Sequence, residues 1–358
     1  MSAPLLARVE GPDAPRVFGL LPRERLERQA AKAGFRIAER PEGAALLLSA
    51  SHVYGGSVLA ALTKAAPGVV LKDDSGLVAG ARLPAAAEIG AKAGPEAKSG
   101  AELAGRYDKQ LRKRADPMVR AIASDPRPAE QEIFDATYKG VTDFVTKHVW
   151  PVPALHAVRF CVRFGLTPNQ VTLASLALVL VAMWLFWTGD FLAGLAVGWV
   201  MTFLDTVDGK LARATLTSSR IGDVLDHGID LIHPPFWWWA WGIGLGAAPD
   251  AVGPALGVIL FGYVAQRLME GLFIARFGIE MHIWRPFDSF FRKITARRNP
   301  NLVILTAATL LGAPDVGFVL VAAWVAVGLL VHGVQIVQGF AAARRAPLTS
   351  WLADQSPN

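Results

Sequence analysis

After Leu166 the chain runs apolar for long stretches. Before it, charged and apolar positions alternate in short blocks. Six apolar runs predict membrane-spanning helices at about 171–187, 191–212, 224–247, 251–274, 301–311 and 316–340. A helix needs about 20 predominantly apolar residues to cross the hydrocarbon core, so the fifth run is extended backwards to about 294. Ahead of these runs, the pattern predicts a strand at 16–21 and a helix at 23–34 with Leu26, Ala30 and Ala31 on one face. A short buried strand follows at 44–50, then a helix at 58–64 closed by Pro67-Gly68. Two more strands, 69–72 and 77–83, flank the turn Asp74-Ser75-Gly76. Strand–helix alternation of this length predicts a small α/β domain over 1–125. Residues 90–105 read as an Ala/Gly/Lys-rich linker or loose helix, and Pro126 and Pro128 close the domain.

Residues 129–165 are amphipathic. Ile133, Phe134, Tyr138, Val141, Phe144 and Val145 recur near helical spacing, among Lys139, Lys147, Arg159 and Arg163 and beside Trp150. A basic, aromatic-bearing helix just before the first span is expected to lie at the membrane surface. The fold class expected is an α-helical integral membrane protein. Six transmembrane helices (166–346) follow an amphipathic juxtamembrane helix (129–165) and a small N-terminal α/β cytosolic domain (1–125), and a tail (347–358) closes the chain.

The N-terminus has no basic stretch followed by an apolar core, so no signal peptide is expected. The connections 188–190, 248–250 and 312–315 hold no Lys or Arg. The opposite side holds Lys210, Arg213 and Arg220, then the basic residues from Arg276 to Arg298, then Arg344 and Arg345. By the positive-inside rule both termini face the cytoplasm. A bacterial inner (plasma) membrane is the expected location.

Composition sharpens this picture. Of 358 residues, 53% are hydrophobic and 18% charged, and 11 are tryptophan; soluble domains average about 25% charged. Disorder is excluded by that balance. Cys161 is the single cysteine, so no intramolecular disulfide forms. The net charge of +6 is accounted for by the cytoplasmic belt of a membrane protein and calls for no nucleic acid partner.

The chemistry concentrates between Leu204 and Asp230. Asp205 and Asp208 are three apart, and Asp226 and Asp230 are four apart, so on helices each pair shares a face. The connection between them is short and polar, which makes the two helices antiparallel neighbours and lets the four carboxylates converge. Carboxylates in a span cost roughly 2.5–3.5 kcal/mol each at the helix centre, so a cluster of four calls for cations. Hard divalent ions such as Mg²⁺ or Mn²⁺ take carboxylate oxygens and bridge to phosphate. Gly209, Ala212 and Gly222 keep the helix surfaces bare beside the acids, and Arg213 is placed to hold a diphosphate. Together these residues read as a nucleotide-diphosphate site.

The stretch resembles the signature of the CDP-alcohol phosphotransferase family, Asp-x2-Asp-Gly-x2-Ala-Arg, eight residues, then Gly-x3-Asp-x3-Asp. All fixed positions match: Asp205, Asp208, Gly209, Ala212, Arg213, Gly222, Asp226 and Asp230. Thr167-Pro168-Asn169 at the opening of the first span is also similar, and the resemblance covers about 130–345. It implies transfer of a substituted phosphate, phosphatidyl or similar, from a CDP-alcohol to an acceptor hydroxyl with release of CMP, in phospholipid headgroup biosynthesis. By the same resemblance a two-metal Mg²⁺ or Mn²⁺ site is held by Asp205, Asp208, Asp226 and Asp230, with Asp230 the expected general base. Asp208, Gly209, Ala212, Arg213 and Gly222 would bind the nucleotide. The family also implies a homodimer. Acceptors such as inositol phosphate or glycerol phosphate need cations, for which Arg297 and Arg298 are preferred, followed by Arg276 and Arg267. His227 and His233 read as hydrogen-bonding helix residues, because hard cations favour oxygen.

The N-terminal piece resembles a shortened nucleotidyltransferase. The segment Val17 to Pro22 holds a single glycine in place of a phosphate loop, and Ser49, Ala50, Ser51 and His52 stand where a metal-binding acid is expected. It is therefore expected to be inactive. Two other readings remain: a divalent-cation transporter, which calls for acids deep in several spans, and a non-catalytic membrane anchor for the N-terminal domain. A membrane prenyltransferase would need a second acid cluster, which the fourth to sixth runs do not supply.

Overall fold

The computed structural model describes residues 5–12, 14–38, 44–83, 96–104, 108, 111–113, 116–218, 220–246 and 250–354. The side chains of residues 220, 221, 223, 226, 227 and 354 lie outside the description. Contacts divide the chain into two compact units. One is Met1–Gly140 with Arg159–Gly165 and Lys210–Thr217; the other is Val141–Val158 with Leu166–Gly209 and Ser218–Asn358.

The first unit contains β1 (Leu5–Glu10), α1 (Pro22–Ala33), β2 (Phe35–Ile37), β3 (Leu46–Ser49), β4 (His52–Tyr54), α2 (Gly56–Lys64), β5 (Val69–Lys72) and β6 (Val78–Arg82). β7 (Glu96–Ser99), α3 (Gly100–Leu103), β8 (Val119–Ala121) and α4 (Arg127–Ala136) follow. Six strands form one sheet in the order β2-β1-β3-β6-β5-β7, with β6 antiparallel to both neighbours and the remaining pairs parallel. β4 and β8 pair separately. The core gathers Leu26 and Ala30 of α1, Leu46 and Leu48 of β3, Leu59 and Leu62 of α2, and Leu71 of β5, all buried.

Two expectations for this unit are corrected. Residues 16–21 are not a strand. Phe18 and Gly19 both take positive φ, and Val17 and Leu20 exchange backbone hydrogen bonds at 2.9 and 3.2 Å, so the apolar residues flank a tight turn of the kind that needs left-handed backbone. The first strand is β1, whose charged Arg8 and Glu10 obscured its alternation. Residues 90–105 are not only linker: β7 and α3 occupy their described part, and Ser99 caps α3 by accepting from the Glu102 N–H.

The second unit begins with a π-helical turn at Val145–Val149. Its helices are α5 (Pro151–Arg163, whose last residues belong to the first unit), α6 (Pro168–Trp187), α7 (Phe191–Ala214, likewise shared), α8 (Arg220–Gly244) and α9 (Val252–Phe277). A 3₁₀ turn (Met281–Ile283) leads to α10 (Pro286–Phe291), α11 (Arg298–Leu310), α12 (Pro314–Ala343) and α13 (Trp351–Asp354). The amphipathic stretch is thus α4, a π-helical turn and α5 rather than one helix. Gly140 sits in the break because an added Cβ would lie 2.3 Å from the Arg112 carbonyl, and Pro151 opens α5.

Among the described residues, four helices are long and apolar enough to cross a membrane: α6, α7, α9 and α12. α8 is long enough, but Asp223, Asp226 and Asp230 crowd its first half. α11, with 13 residues, extends only about 20 Å at 1.5 Å per residue. The fifth run does not reach back as helix to Ile294. The chain turns over 292–297, and Arg297 takes an extended backbone before α11. Thr167 and Gln170 form a reciprocal capping box that starts α6. Phe186, Phe191, Trp237 and Trp241 pack as an aromatic core, with Trp237 Nε1 donating to the Val179 carbonyl at 2.9 Å. Gly262 lets α9 approach α12, because a Cβ there would meet Val325 at 2.2 Å. Cys161 is buried, as expected of a small apolar residue.

Candidate active site

α7 carries Asp205, Asp208 and Gly209 down one face, and α8 carries Gly222, Asp226 and Asp230. The first and last acids of the motif meet through an arginine. Arg298, at the start of α11, donates Nη2 to Asp205 Oδ2 at 2.5 Å and Nη1 to Asp230 Oδ1 at 2.6 Å. One guanidinium spans both, so carboxylates 25 positions apart in sequence lie across the width of a single planar group. Asp208 is 3% exposed. Its Oδ2 accepts from Thr172 Oγ1 of α6 at 2.6 Å, and its Oδ1 from the Gly209 N–H at 2.5 Å. The side chain of Asp226 lies outside the described residues; its backbone is on α8, one turn before Asp230. Gly222 is on the first turn of α8. Ala212 and Arg213 end α7 in the segment counted with the first unit. His227's side chain is likewise outside the description, while His233 Nδ1 donates to the Ile229 carbonyl of its own helix at 2.6 Å.

The four arginines proposed from sequence divide. Arg298 joins the aspartates. Arg297 Nη2 lies 2.6 Å from both carboxylate oxygens of Glu270, and Arg267 Nη1 donates to Glu270 Oε2 at 3.2 Å. Arg276 lies over the rings of Phe277 and Phe340. Sequence reasoning missed Glu270, together with His282 and His332, whose Nε2 atoms lie 3.2 and 3.4 Å from Glu270 Oε1. The signal was present: an acid three residues after Arg267 within an otherwise apolar run. Sequence reasoning also missed Thr172. At the edge of the site Asp143 accepts from the Thr146 N–H and from Asn299 Nδ2, each at 3.0 Å. Burial alone would raise this carboxyl, but those bonds and the Arg292 charge hold it below the ordinary carboxylate range.

Residues 165–331 match the family model described as CDP-alcohol phosphatidyltransferase. Among curated relatives, the chain is 46% identical over 69 residues to an archaetidylinositol phosphate synthase of Pyrococcus horikoshii, covering 18% of this chain and 35% of that protein. It is 30% identical over 200 residues to a bifunctional IPC transferase and DIPP synthase of Rubrobacter xylanophilus, covering 53% of this chain and 42% of that protein. These matches span well under two thirds of the relatives' length. Among solved structures, the phosphatidylinositol phosphate synthase of Mycobacterium tuberculosis in complex with manganese and citrate is similar at a TM-score of 0.41 and 23% identity, over 57% of this chain and 93% of that one.

Proposed function

We propose that this chain is a membrane transferase that moves a substituted phosphate from a CDP-alcohol to the hydroxyl of a small polar acceptor and releases CMP. The observation that carries the reading is the meeting of Asp205 and Asp230 through Arg298, which closes the two halves of the motif onto one place. The donors there are hard carboxylate oxygens within one guanidinium's reach, a set that fits Mg²⁺ or Mn²⁺. Asp205, Asp208, Asp226 and Asp230 would hold the ions, which would supply charge neutralisation at the diphosphate and at the departing CMP. Asp208, Gly209, Ala212, Arg213 and Gly222 bind the nucleotide in this reading: the small residues leave backbone bare for a flat base, and Arg213 pairs with phosphate. Thr172 fixes the Asp208 carboxylate by its hydrogen bond. Asp230 takes the proton of the acceptor hydroxyl.

The relatives' names support an inositol phosphate acceptor, which the arginines at 267, 276, 297 and 298 suit by charge. α8 and α11 complete a six-helix membrane domain in this reading, with both termini and the site facing the cytoplasm of a bacterial inner membrane, and the chain pairs as a homodimer. The N-terminal unit is non-catalytic. Ser49, Ser51 and His52, where an acid would be needed, bond to one another and to Asp73.

The test is CMP release by purified protein given CDP-diacylglycerol, Mg²⁺ or Mn²⁺, and inositol phosphate, glycerol phosphate, inositol or serine. Acceptor-dependent CMP, lost with EDTA and at least about 100-fold lower in Asp230→Asn, is expected. CMP release that Asp230→Asn retains sinks the assignment of the base. Silence with these acceptors and with soluble CDP-alcohols favours a transport or anchoring role.

A further inference from the structure

Glu270 lies in the last third of an apolar helix, α9, and nothing in the aspartate motif requires it. Its carboxylate nonetheless meets four side chains. Arg297 reaches both oxygens, Arg267 reaches Oε2, and the buried imidazoles of His282 and His332 reach Oε1. Ionisable groups among membrane helices are costly and are kept where they serve function. Glu270, His282 and His332 offer ligand atoms within 4.8 Å of one another, a set that a divalent ion would take in other surroundings. Here Arg297 already supplies the cation. Its Nη2 is 2.6 Å from the carboxylate and 3.3 Å from His282 Nε2, and it is anchored because the next residue, Arg298, is bound to Asp205 and Asp230.

The cluster borders Asp230 by a second route. The Arg267 guanidinium lies 5.3 Å from the centre of the Tyr263 ring, and the Tyr263 hydroxyl donates to the Leu231 carbonyl at 2.7 Å, beside Asp230. Glu270 therefore holds Arg267, which lies over the tyrosine that bonds the backbone beside Asp230, and Arg297, the chain neighbour of the arginine bound to Asp230. We infer that Glu270 is a positioning residue for an anionic, phosphate-bearing acceptor: it aims Arg297 and Arg267, and His282 and His332 lock its own rotamer by donating to it. The inference rests on the transferase reading above.

The test separates acceptor from donor. In the full chain, Glu270→Gln is expected to raise acceptor KM for inositol phosphate by about 10- to 100-fold, the loss of a charge-assisted hydrogen bond. Donor KM and kcat at saturating acceptor should stay within about threefold. His332→Leu, which removes the donor at similar volume, should raise acceptor KM, and His332→Gln, which restores an N–H, should return it. An unchanged acceptor KM in Glu270→Gln and His332→Leu overturns the inference, as does an equal rise in donor KM. One equivalent of zinc per purified chain, lost in a His282→Ala, His332→Ala double variant, overturns it too, since that ion would take the oxygens assigned to arginine. Calorimetric binding of inositol phosphate distinguishes the two failures. Wild-type protein that binds it through Glu270 without releasing CMP refutes the transferase and leaves the positioning role standing. Turnover that ignores Glu270 does the reverse.

Discussion

At the residue scale, the supports of the aspartates matter as much as the aspartates. Thr172 Oγ1 donates to the carboxylate of Asp208, which is 3% exposed. Thr172→Val keeps the shape and removes the hydroxyl, leaving Asp208 one hydrogen bond short. The expected outcome is a loss of roughly tenfold in kcat/KM for CMP release with the fold retained, since hydrogen bonds to charged groups contribute about 1.5–3 kcal/mol. In the N-terminal unit, Asp73 accepts from the Ser75 N–H, the Ser75 hydroxyl and the Leu77 N–H at 3.0, 2.7 and 2.8 Å. Burial would raise its pKa; these bonds and His52 outweigh burial and hold it below the ordinary value. A depressed folded pKa contributes stability that is fully present above the unfolded value, near about 4, and is lost as pH falls through the folded one. Urea unfolding of the full chain should therefore show this unit losing stability below about pH 4, with a smaller acid dependence in Asp73→Asn. The aspartate motif was legible because its spacing is chemical and local. The cluster around Glu270 was not, because its partners come from four separate places in the chain and only folding assembles them.

At the element scale, hydrophobic periodicity located α1, α2, β5 and the four apolar helices within a few residues, because each has its own period and its own stop signal. It failed where the backbone, not the side chains, decides. The turn at Phe18-Gly19 looked like a strand because both its flanks are apolar, and the break near Gly140 is dictated by the close approach of Arg112. The same logic gives a test for the packing of α6 against α8. A Cβ on Gly244 would lie 1.9 Å from the Phe186 carbonyl oxygen, a backbone atom that has no rotamer to escape into. Gly244→Ala should lower stability by about 1–3 kcal/mol, read as an earlier thermal transition in detergent. Gly253→Ala, where nothing lies within 4 Å of the added atom, should leave it in place.

At the scale of the whole molecule, a mixed α/β sheet and a helical membrane unit share one chain, and four helices have the length and apolarity to hold it in a bilayer. Alkaline carbonate, which strips peripheral proteins, should leave the full chain in the membrane pellet; recovery in the supernatant would contradict that reading.

The start of α11 also constrains how the gene can change. Arg297 and Arg298 are neighbours in the chain, yet one serves Glu270 and the other serves Asp205 and Asp230. A helix advances about 100° per residue. A single codon inserted or deleted in the turn at 292–297 would rotate each guanidinium off its carboxylate and offer it the wrong one. Loops usually absorb length changes readily. Apart from Arg292 and Arg297, this one is expected to tolerate substitution but not insertion or deletion, and a scan of one-residue indels along 279–300 should show activity collapsing there while neighbouring connections accept them.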